Sequence, residues 1–276
     1  MPGVLYLVAT PIGNLEDVTL RALRVLREVD VVAAEDTRRV RALLDRHGIR
    51  NRVVSYHEHN ERARVGELLA LLRSGGSVAL VSDAGTPVLS DPGYELVRAC
   101  VEEGIPVVPV PGPSAVTAAL VASGLPTDRF LFAGFPPRRR QARRRFLADL
   151  ARLPATLVLF ESPRRLSACL LDLQEVAGNR RVAVCRELTK RHEEVLRGTV
   201  QEVLARLGTA PVRGEVTLVV EGAAAPAAPQ QDVEQVLREA LAGGVSVREA
   251  SEVAARRCGI SRREAYRRAL ALSEGC

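Results

Sequence analysis

Short apolar runs alternate with amphipathic stretches through most of the chain. Val4 to Ala9 is continuously apolar and predicts a buried strand; Leu20, Leu23 and Leu26 then recur at helical spacing. Val29 to Ala34 predicts a second strand, Val40, Leu43 and Leu44 a helix closed by Gly48, and Val53 and Val54 a third strand. Val65, Leu68, Leu69 and Leu72 share one helix face, with Asn60 as the cap and Gly75 and Gly76 at the end. Val78 to Val81 predicts a fourth strand. A helix from Pro92 to about Glu103 follows, with Asp91 as its N-cap and Pro92 in its first position. Pro106 to Val110 predicts a fifth strand, which turns at Pro111–Ala115 into an alanine-rich helix. Apolar strands alternating with amphipathic helices predict an α/β fold, a largely parallel sheet with helices on both faces.

A second α/β unit begins after the linker-like Gly124–Thr127. Its strands are predicted at Phe130–Phe135, Thr156–Phe160, Val182–Leu188 and Glu215–Glu221, with an edge strand or hairpin at Glu194–Thr199. AAAPAAPQ, Ala223 to Gln230, is low in complexity and reads as a linker. Beyond it, Ser246 with Glu249 and Ser261 with Glu264 have the spacing of capping boxes, and Gly259 fits the stop between them. That is the pattern of a helix-turn-helix tail. The expected domains are 1–123, 124–222, a linker at 223–231 and a helical tail at 232–276.

At 276 residues the chain is long enough for about two domains. Its formal charge of +6 comes from 39 basic and 33 acidic residues, so the placement of arginine matters more than the sum. Lys190 is the only lysine. The five cysteines are scattered and form no C-x-x-C pair, which argues against a zinc site and fits reduced cytosolic thiols. No stretch reaches the roughly 18 apolar residues of a membrane span, and no signal-type run opens the chain. These features predict a cytoplasmic protein with no membrane contact and no metal.

Candidate chemistry concentrates at strand ends. SDAGTPVLSDPG leaves the fourth strand, and loops at the carboxyl ends of strands are where open α/β sheets bind ligands. Small residues after Asp83 leave room for a ligand, whose amine or hydroxyls Asp83 can accept. The loop TPIGNLED after the first strand lacks the G-x-G-x-x-G spacing of a dinucleotide site. Glu35, Asp36, His57, Glu187 and Lys190 also sit at strand ends. Arg138, Arg139, Arg140, Arg143, Arg144 and Arg145 make a dense positive segment suited to RNA phosphates, or to a solvated helix face. Aromatic residues are only 3% of the chain, leaving Tyr56, Tyr94 and Phe135 as candidates to stack on a flipped-out base.

Taken together, ATPIGNLED, AEDTR, SDAGTPVLSDPG, VPGPSA, FESPRR and RELTKRHEEVLRGT resemble, in order and spacing, the tetrapyrrole-methylase-like class III S-adenosylmethionine methyltransferases. More closely they resemble the bacterial 16S ribosomal RNA cytidine 2′-O-methyltransferase I family. The resemblance runs from about Leu5 to Gly222, and the tail looks like that family's helix-turn-helix extension. It implies two α/β domains with S-adenosylmethionine in the cleft between them, usually a homodimer, and methylation of the ribose 2′-hydroxyl of a decoding-centre cytidine. The implied partner is 16S rRNA within the small ribosomal subunit, and not DNA. The implied cofactor contacts are Pro11, Asp83, Thr86, Ser114 and Ala115, with Phe160, Leu188 and Glu215 from the second unit. Asp36, Glu187 and Lys190 are the candidates for activating the hydroxyl, and Arg38 and His57 join the arginine segment as candidate RNA contacts. Two other readings remain open at this point: a methyltransferase of the same fold acting on a small molecule, and a non-catalytic RNA-binding factor.

Overall fold

Five strands pair in parallel to make the first sheet: β1 (Val4–Val8), β2 (Val31–Ala34), β3 (Val53–Ser55), β4 (Ser77–Val81) and β5 (Val107–Val110), in the order β3-β2-β4-β1-β5. Successive side chains of a strand point to opposite faces, so each face receives its own core. Val8, Val32, Ala34, Ala79 and Val81 pack under α1 (Leu20–Glu28) and α2 (Thr37–Arg46). Leu5, Val31, Ala33, Val78 and Leu80 pack under α3 (Glu61–Arg73) and α4 (Tyr94–Glu102). The computed structural model describes residues 3–208, 211–224 and 232–273.

The second sheet contains β6 (Phe130–Phe132), β7 (Thr156–Glu161), β8 (Arg181–Arg186), β9 (Glu194–Thr199) and β10 (Val216–Val220), in the order β6-β7-β10-β8-β9. Only β6 and β7 are parallel here; the other pairings are antiparallel, and β9 is the edge strand expected at Glu194–Thr199. The cause is a chain reversal between β8 and β9. Helix α8 (Val200–Leu207) then leads to β10 on the other side of β8, running in the same direction as β9.

One face of this sheet, through Leu157, Leu159, Val184 and Leu218, is covered by α6 (Arg140–Leu150), α7 (Leu166–Ala177) and α8. The opposite face, through Val158, Ala183, Cys185 and Val219, receives Val116, Ala119 and Leu120 of α5 (Ala115–Ser123). The expected break at 123–124 therefore falls at the end of a helix that belongs to the first half by sequence and to the second by packing. Residues Met1–Gly222 form one compact unit, and Ala223–Cys276 a second.

Two predicted caps turn out otherwise. Asn60 makes no side-chain cap bond to α3; its carboxamide accepts the His57 N–H at 2.9 Å and donates to Ser55, closing the loop. Asp91 lies outside α4, whose N-cap is Gly93. In the second unit α9 (Val233–Ala242), α10 (Val247–Cys258) and α11 (Arg262–Ser273) enclose a small core of Val236, Leu237, Ala250, Ala254, Ala265 and Ala269. Ser246 and Glu249 form a reciprocal capping box. The second predicted box is half made: Ser261 accepts the Glu264 N–H, but the Glu264 carboxylate pairs with Arg267 and Arg268. Of the predicted linker, residues 225–231 lie outside the described residues.

The arginine segment meets the core at Arg143. This side chain is buried and pairs with buried Asp172 at 2.6 Å, which also accepts from Arg140 Nε at 3.0 Å. Removing one partner of a buried pair leaves an uncompensated charge. Asp172→Ala should therefore lose about 3–5 kcal/mol of stability, read as a lower urea midpoint for the unit that contains α6 and α7.

Candidate active site

Parallel strands place all five of their outgoing loops at one edge of the first sheet, and two of these loops are stitched together. Thr10 and Gly85 exchange backbone hydrogen bonds at 2.9 Å each, and Thr10 Oγ1 donates to the Ser82 carbonyl at 3.1 Å. Gly85 has φ +82, and a Cβ there would meet Ile12 Cγ2 at 3.3 Å, so glycine permits both the turn and the close approach.

Beside this stitch lies a cavity of about 210 Å³, lined by Asp83, Ala84, Asp91 and Ala115 from the first half and by Phe160, Leu188, Glu215 and Thr217 from the second, among others. A smaller hollow of about 90 Å³ adjoins it and adds Thr86, Ser114 and Phe135. Phe160 packs between Phe132 and Phe135, with ring centroids 4.8 and 5.5 Å away. Seven of the eight residues expected to hold the cofactor thus line these two hollows; Pro11 lines neither, and its neighbour Ile12 does. Sequence reasoning missed Ile12, Arg39, Ala84, Asp91, Cys185, Val216 and Thr217. For Cys185 and Thr217 the signal was available, since they share with the expected Phe160 the strand face that carries α5.

The lining is electrostatically negative. Asp83 accepts the Asp36 N–H at 2.8 Å and pairs with Arg39 at 3.5 Å. Burial raises the Glu35 carboxyl above its ordinary value, and the charge of Asp83 raises it further. Burial pushes the Asp91 carboxyl up to about 6, with Glu35 and Asp83 adding to the effect. Burial also raises the Cys185 thiol to about 11, which keeps it protonated and inert at neutral pH.

The expected activating residues lie in two separate clusters. Asp36 caps α2 by accepting the Arg38 N–H at 2.9 Å, and its carboxylate also binds the Arg38 guanidinium at 2.7 and 3.0 Å. Those contacts lower its pKa to about 2, which makes it a weak proton acceptor. Glu187 accepts the Glu215 N–H at 2.8 Å and Lys190 Nζ at 3.0 Å, and its pKa is lowered by these bonds in that order. Lys190 reaches Glu215 as well, at 3.1 Å. Burial opposes the ammonium, and the hydrogen bonds to Glu187 and Glu215 more than offset it, so its pKa lies above the ordinary lysine value. Glu187 and Thr189, with φ of 51 and 65, hold this loop in left-handed backbone, which non-glycine residues seldom adopt.

The expected RNA contacts divide. Arg143 is corrected to a core residue, because its guanidinium is buried against Asp172. Arg140 and Arg144 are tied to Glu175 at 3.3 and 2.5 Å. Arg138, Arg139 and Arg145 have no carboxylate partner among the described residues. Helix α6 covers the face of the second sheet opposite the cavity, since Leu157 and Leu159 alternate with Val158 and Phe160. The arginine segment therefore does not border the cleft along its length. Arg38 is exposed at the Asp36 pair. His57 Nδ1 is buried without a hydrogen-bond partner. Tyr56 is also corrected: it is buried and donates to Glu61 at 2.8 Å, while Tyr94 and Phe135 are exposed.

Residues 4–204 match the family described as Tetrapyrrole (Corrin/Porphyrin) Methylases, and residues 227–273 match the RsmI C-terminal HTH domain. The Ribosomal RNA small subunit methyltransferase I of Halalkalibacterium halodurans is 47% identical, over 96% of this chain and 93% of that protein. The protein of the same name from Mycobacterium tuberculosis H37Rv is 52% identical, over 96% and 93%.

The chain belongs to the ribosomal RNA small subunit methyltransferase I family.

Among solved structures, uroporphyrin-III C-methyltransferase from Thermus thermophilus, complexed with S-adenyl homocysteine, is 25% identical with a TM-score of 0.56. The similarity covers 79% of this chain and 97% of that one. The methylase match spans β1 to β9, and the helical-domain match spans α9–α11.

One contact ties the two halves at the cleft. A Cβ on Gly13 would meet Lys190 Cγ at 2.4 Å and the Leu188 carbonyl at 3.0 Å, so the first loop accepts Lys190 across it only as glycine. Gly13→Ala should cost about 1–3 kcal/mol by overpacking. Lys190→Met should keep that clash, since it retains Cγ, whereas Lys190→Ala should relieve part of it. A double-mutant cycle in urea between Gly13→Ala and Lys190→Ala checks this, and additive effects would remove the contact from consideration.

Proposed function

We propose that this protein methylates the ribose 2′-hydroxyl of a decoding-centre cytidine in 16S rRNA, using S-adenosylmethionine. The observation that carries the reading is the cavity between the two sheets, built by the loops that the family motifs occupy. Its donor set suits that cofactor. S-adenosylmethionine carries positive charge at its sulfonium and amino group and has no phosphate. The cavity offers Asp83, Asp91 and Glu215, with aliphatic and aromatic walls at Ile12, Leu188 and Phe160, and no phosphate-binding glycine loop. Bound there, the cofactor supplies an electrophilic methyl group.

The residues around it position and exclude water. Asp83 is oriented by the Asp36 N–H and Arg39, so its carboxylate is fixed before a ligand arrives. Lys190, clamped between Glu187 and Glu215, holds the Leu188 wall against the Gly13 loop. Its charge is already matched by two carboxylates, which favours a positioning role over stabilisation of an alkoxide. An RNA substrate is supported by the names of the relatives and by the exposed cations Arg138, Arg139 and Arg145. The same reading takes the assembled small subunit as the physiological partner, a homodimer as the working form and the cytoplasm as the compartment. Among the described residues, no helix is long and apolar enough to cross a membrane.

Asp83→Ala should weaken S-adenosylmethionine binding by at least tenfold, about 1.4 kcal/mol, with an unchanged thermal melt. Calorimetry giving wild-type affinity would remove Asp83 from the cofactor site. Ribose-methylation mapping of 16S rRNA by mass spectrometry, from cells with and without the protein, tests the target itself.

Replacing Arg138, Arg139 and Arg145 together by serine should weaken RNA binding and flatten the log–log salt slope by about two to three, with cofactor affinity unaltered. An unchanged slope would show that these arginines only solvate the surface.

A further inference from the structure

Asp91 stands where the two hollows meet: both are lined by Ala84, Asp91, Ala115 and Phe160. Of the three carboxylates on the larger wall, Asp83 is engaged by Arg39 and the Asp36 N–H, and Glu215 by Lys190. Asp91 has no ion pair among the described residues. It also does nothing for the helix that follows, because α4 starts from Gly93 without a side-chain cap bond.

The segment around Asp91 is nevertheless held in a costly shape. Val88 and Ser90 have φ of 74 and 66, and a β-branched residue in left-handed backbone is a genuine outlier. Gly93 has φ +135, and a Cβ there would come within 2.6 Å of Leu80 Cδ2 in the core. Packing thus forces the loop to carry Asp91 into the cavity wall. Strain of this kind gathers at functional sites.

We propose that Asp91 is the general base of the methyl transfer, accepting the proton of the attacking ribose hydroxyl. The proposal rests on the hydroxyl-methylation reading above. In the step, the hydroxyl oxygen bonds to the methyl carbon while the carbon–sulfur bond breaks with its electron pair passing to sulfur. The hydroxyl proton moves to the Asp91 carboxylate, so the sulfonium becomes a neutral thioether and the ribose an ether.

The surroundings fit a base rather than a permanent anion. Glu35 at the end of β2 and Asp83 after β4 face Asp91 with like charge, and the Ser82 hydroxyl opposes them by hydrogen bonding. Arg39 on α2 and His57 after β3 balance Glu35, and Glu215 lies across the larger cavity. Burial is the largest influence and sets the carboxyl near 6, close to the working pH, where a general base is most useful. Asp36, near 2, and Glu187, lowered by its own bonds, are poorer acceptors.

The test uses full-length Asp91→Asn, which keeps the shape of the side chain. At saturating cofactor and small-subunit RNA its single-turnover rate should fall by about 10²–10⁴-fold, a loss far larger than any rise in the cofactor Kd from calorimetry. A base acts when deprotonated, so the wild-type rate should rise with pH and then level off, with its inflection at or below about 6 because the bound cation favours the carboxylate. The variant should lack that inflection. Infrared difference spectra of the ligand-free protein should show a carboxyl band titrating near pH 6 that Asp91→Asn removes. Should the asparagine variant melt early, Asp91→Ala with added formate replaces it, and recovery of rate by formate is the expected result. A near-normal Asp91→Asn rate with a ribose-methylated product, identified by nucleoside mass spectrometry, overturns the role of Asp91 alone. A loss confined to cofactor affinity, or no such titrating band, overturns it as well. A wild-type product methylated on a base refutes the hydroxyl reading and the proposal with it.

Discussion

Helix α5 has to bury an apolar surface, and the surface available to it belongs to the other sheet. Val116, Ala119 and Leu120 pack on Val158, Ala183, Cys185 and Val219. That contact sets the carboxyl edge of the parallel sheet against one face of the second. Ala115 at the start of α5 and Phe160, Cys185 and Thr217 on the opposing strands then become walls of the same cavity. The cleft is a by-product of closing a hydrophobic core. Its shape is as fixed as that core, because packed interiors resist continuous deformation.

Within the frame, charge is distributed with a consistent logic. Carboxylates that must stay ionised are given partners: Asp36 has Arg38, Glu187 has Lys190, and Asp172 has Arg143 and Arg140. Around the cavity, Glu35 and Asp91 are left under burial and mutual repulsion, which favours the neutral form at higher pH than usual. A cationic ligand would relieve that repulsion. The same arrangement gives an anion little reason to enter, in keeping with a loop system that lacks a phosphate cradle.

Backbone strain follows the same geography. Among the described residues, the non-glycine residues with positive φ are Val88, Ser90, Glu187 and Thr189, all in the two loops that flank the cavity. Each loop is pinned by a glycine that cannot carry a side chain without collision. A Cβ on Gly93 would meet Leu80, and one on Gly214 would come within 2.4 Å of the Glu187 side chain. The strain is held by the cores on either side and expressed at the site between them.

Local pattern was enough for the first sheet, the order of elements, the helical tail and the family motifs. Apolar runs of strand length and helical spacing act over a few positions, and they are written in the sequence directly. The loop after Val81 was legible as a candidate site wall because a strand end places it, whereas the residues after Val110 and those at Phe160 and Leu188 came from the family resemblance. What tertiary structure alone decided depends on partners distant in sequence. The antiparallel second sheet comes from the reversal between β8 and β9. Arg143 is a core residue because Asp172 lies 29 positions away and at hydrogen-bonding distance. Lys190 is clamped because Glu215 returns beside it, and Asp91 leaves its expected capping role because Leu80 and Gly93 pack the loop another way. Burial and pairing set the charge state of a side chain, and neither can be read from its immediate neighbours along the chain.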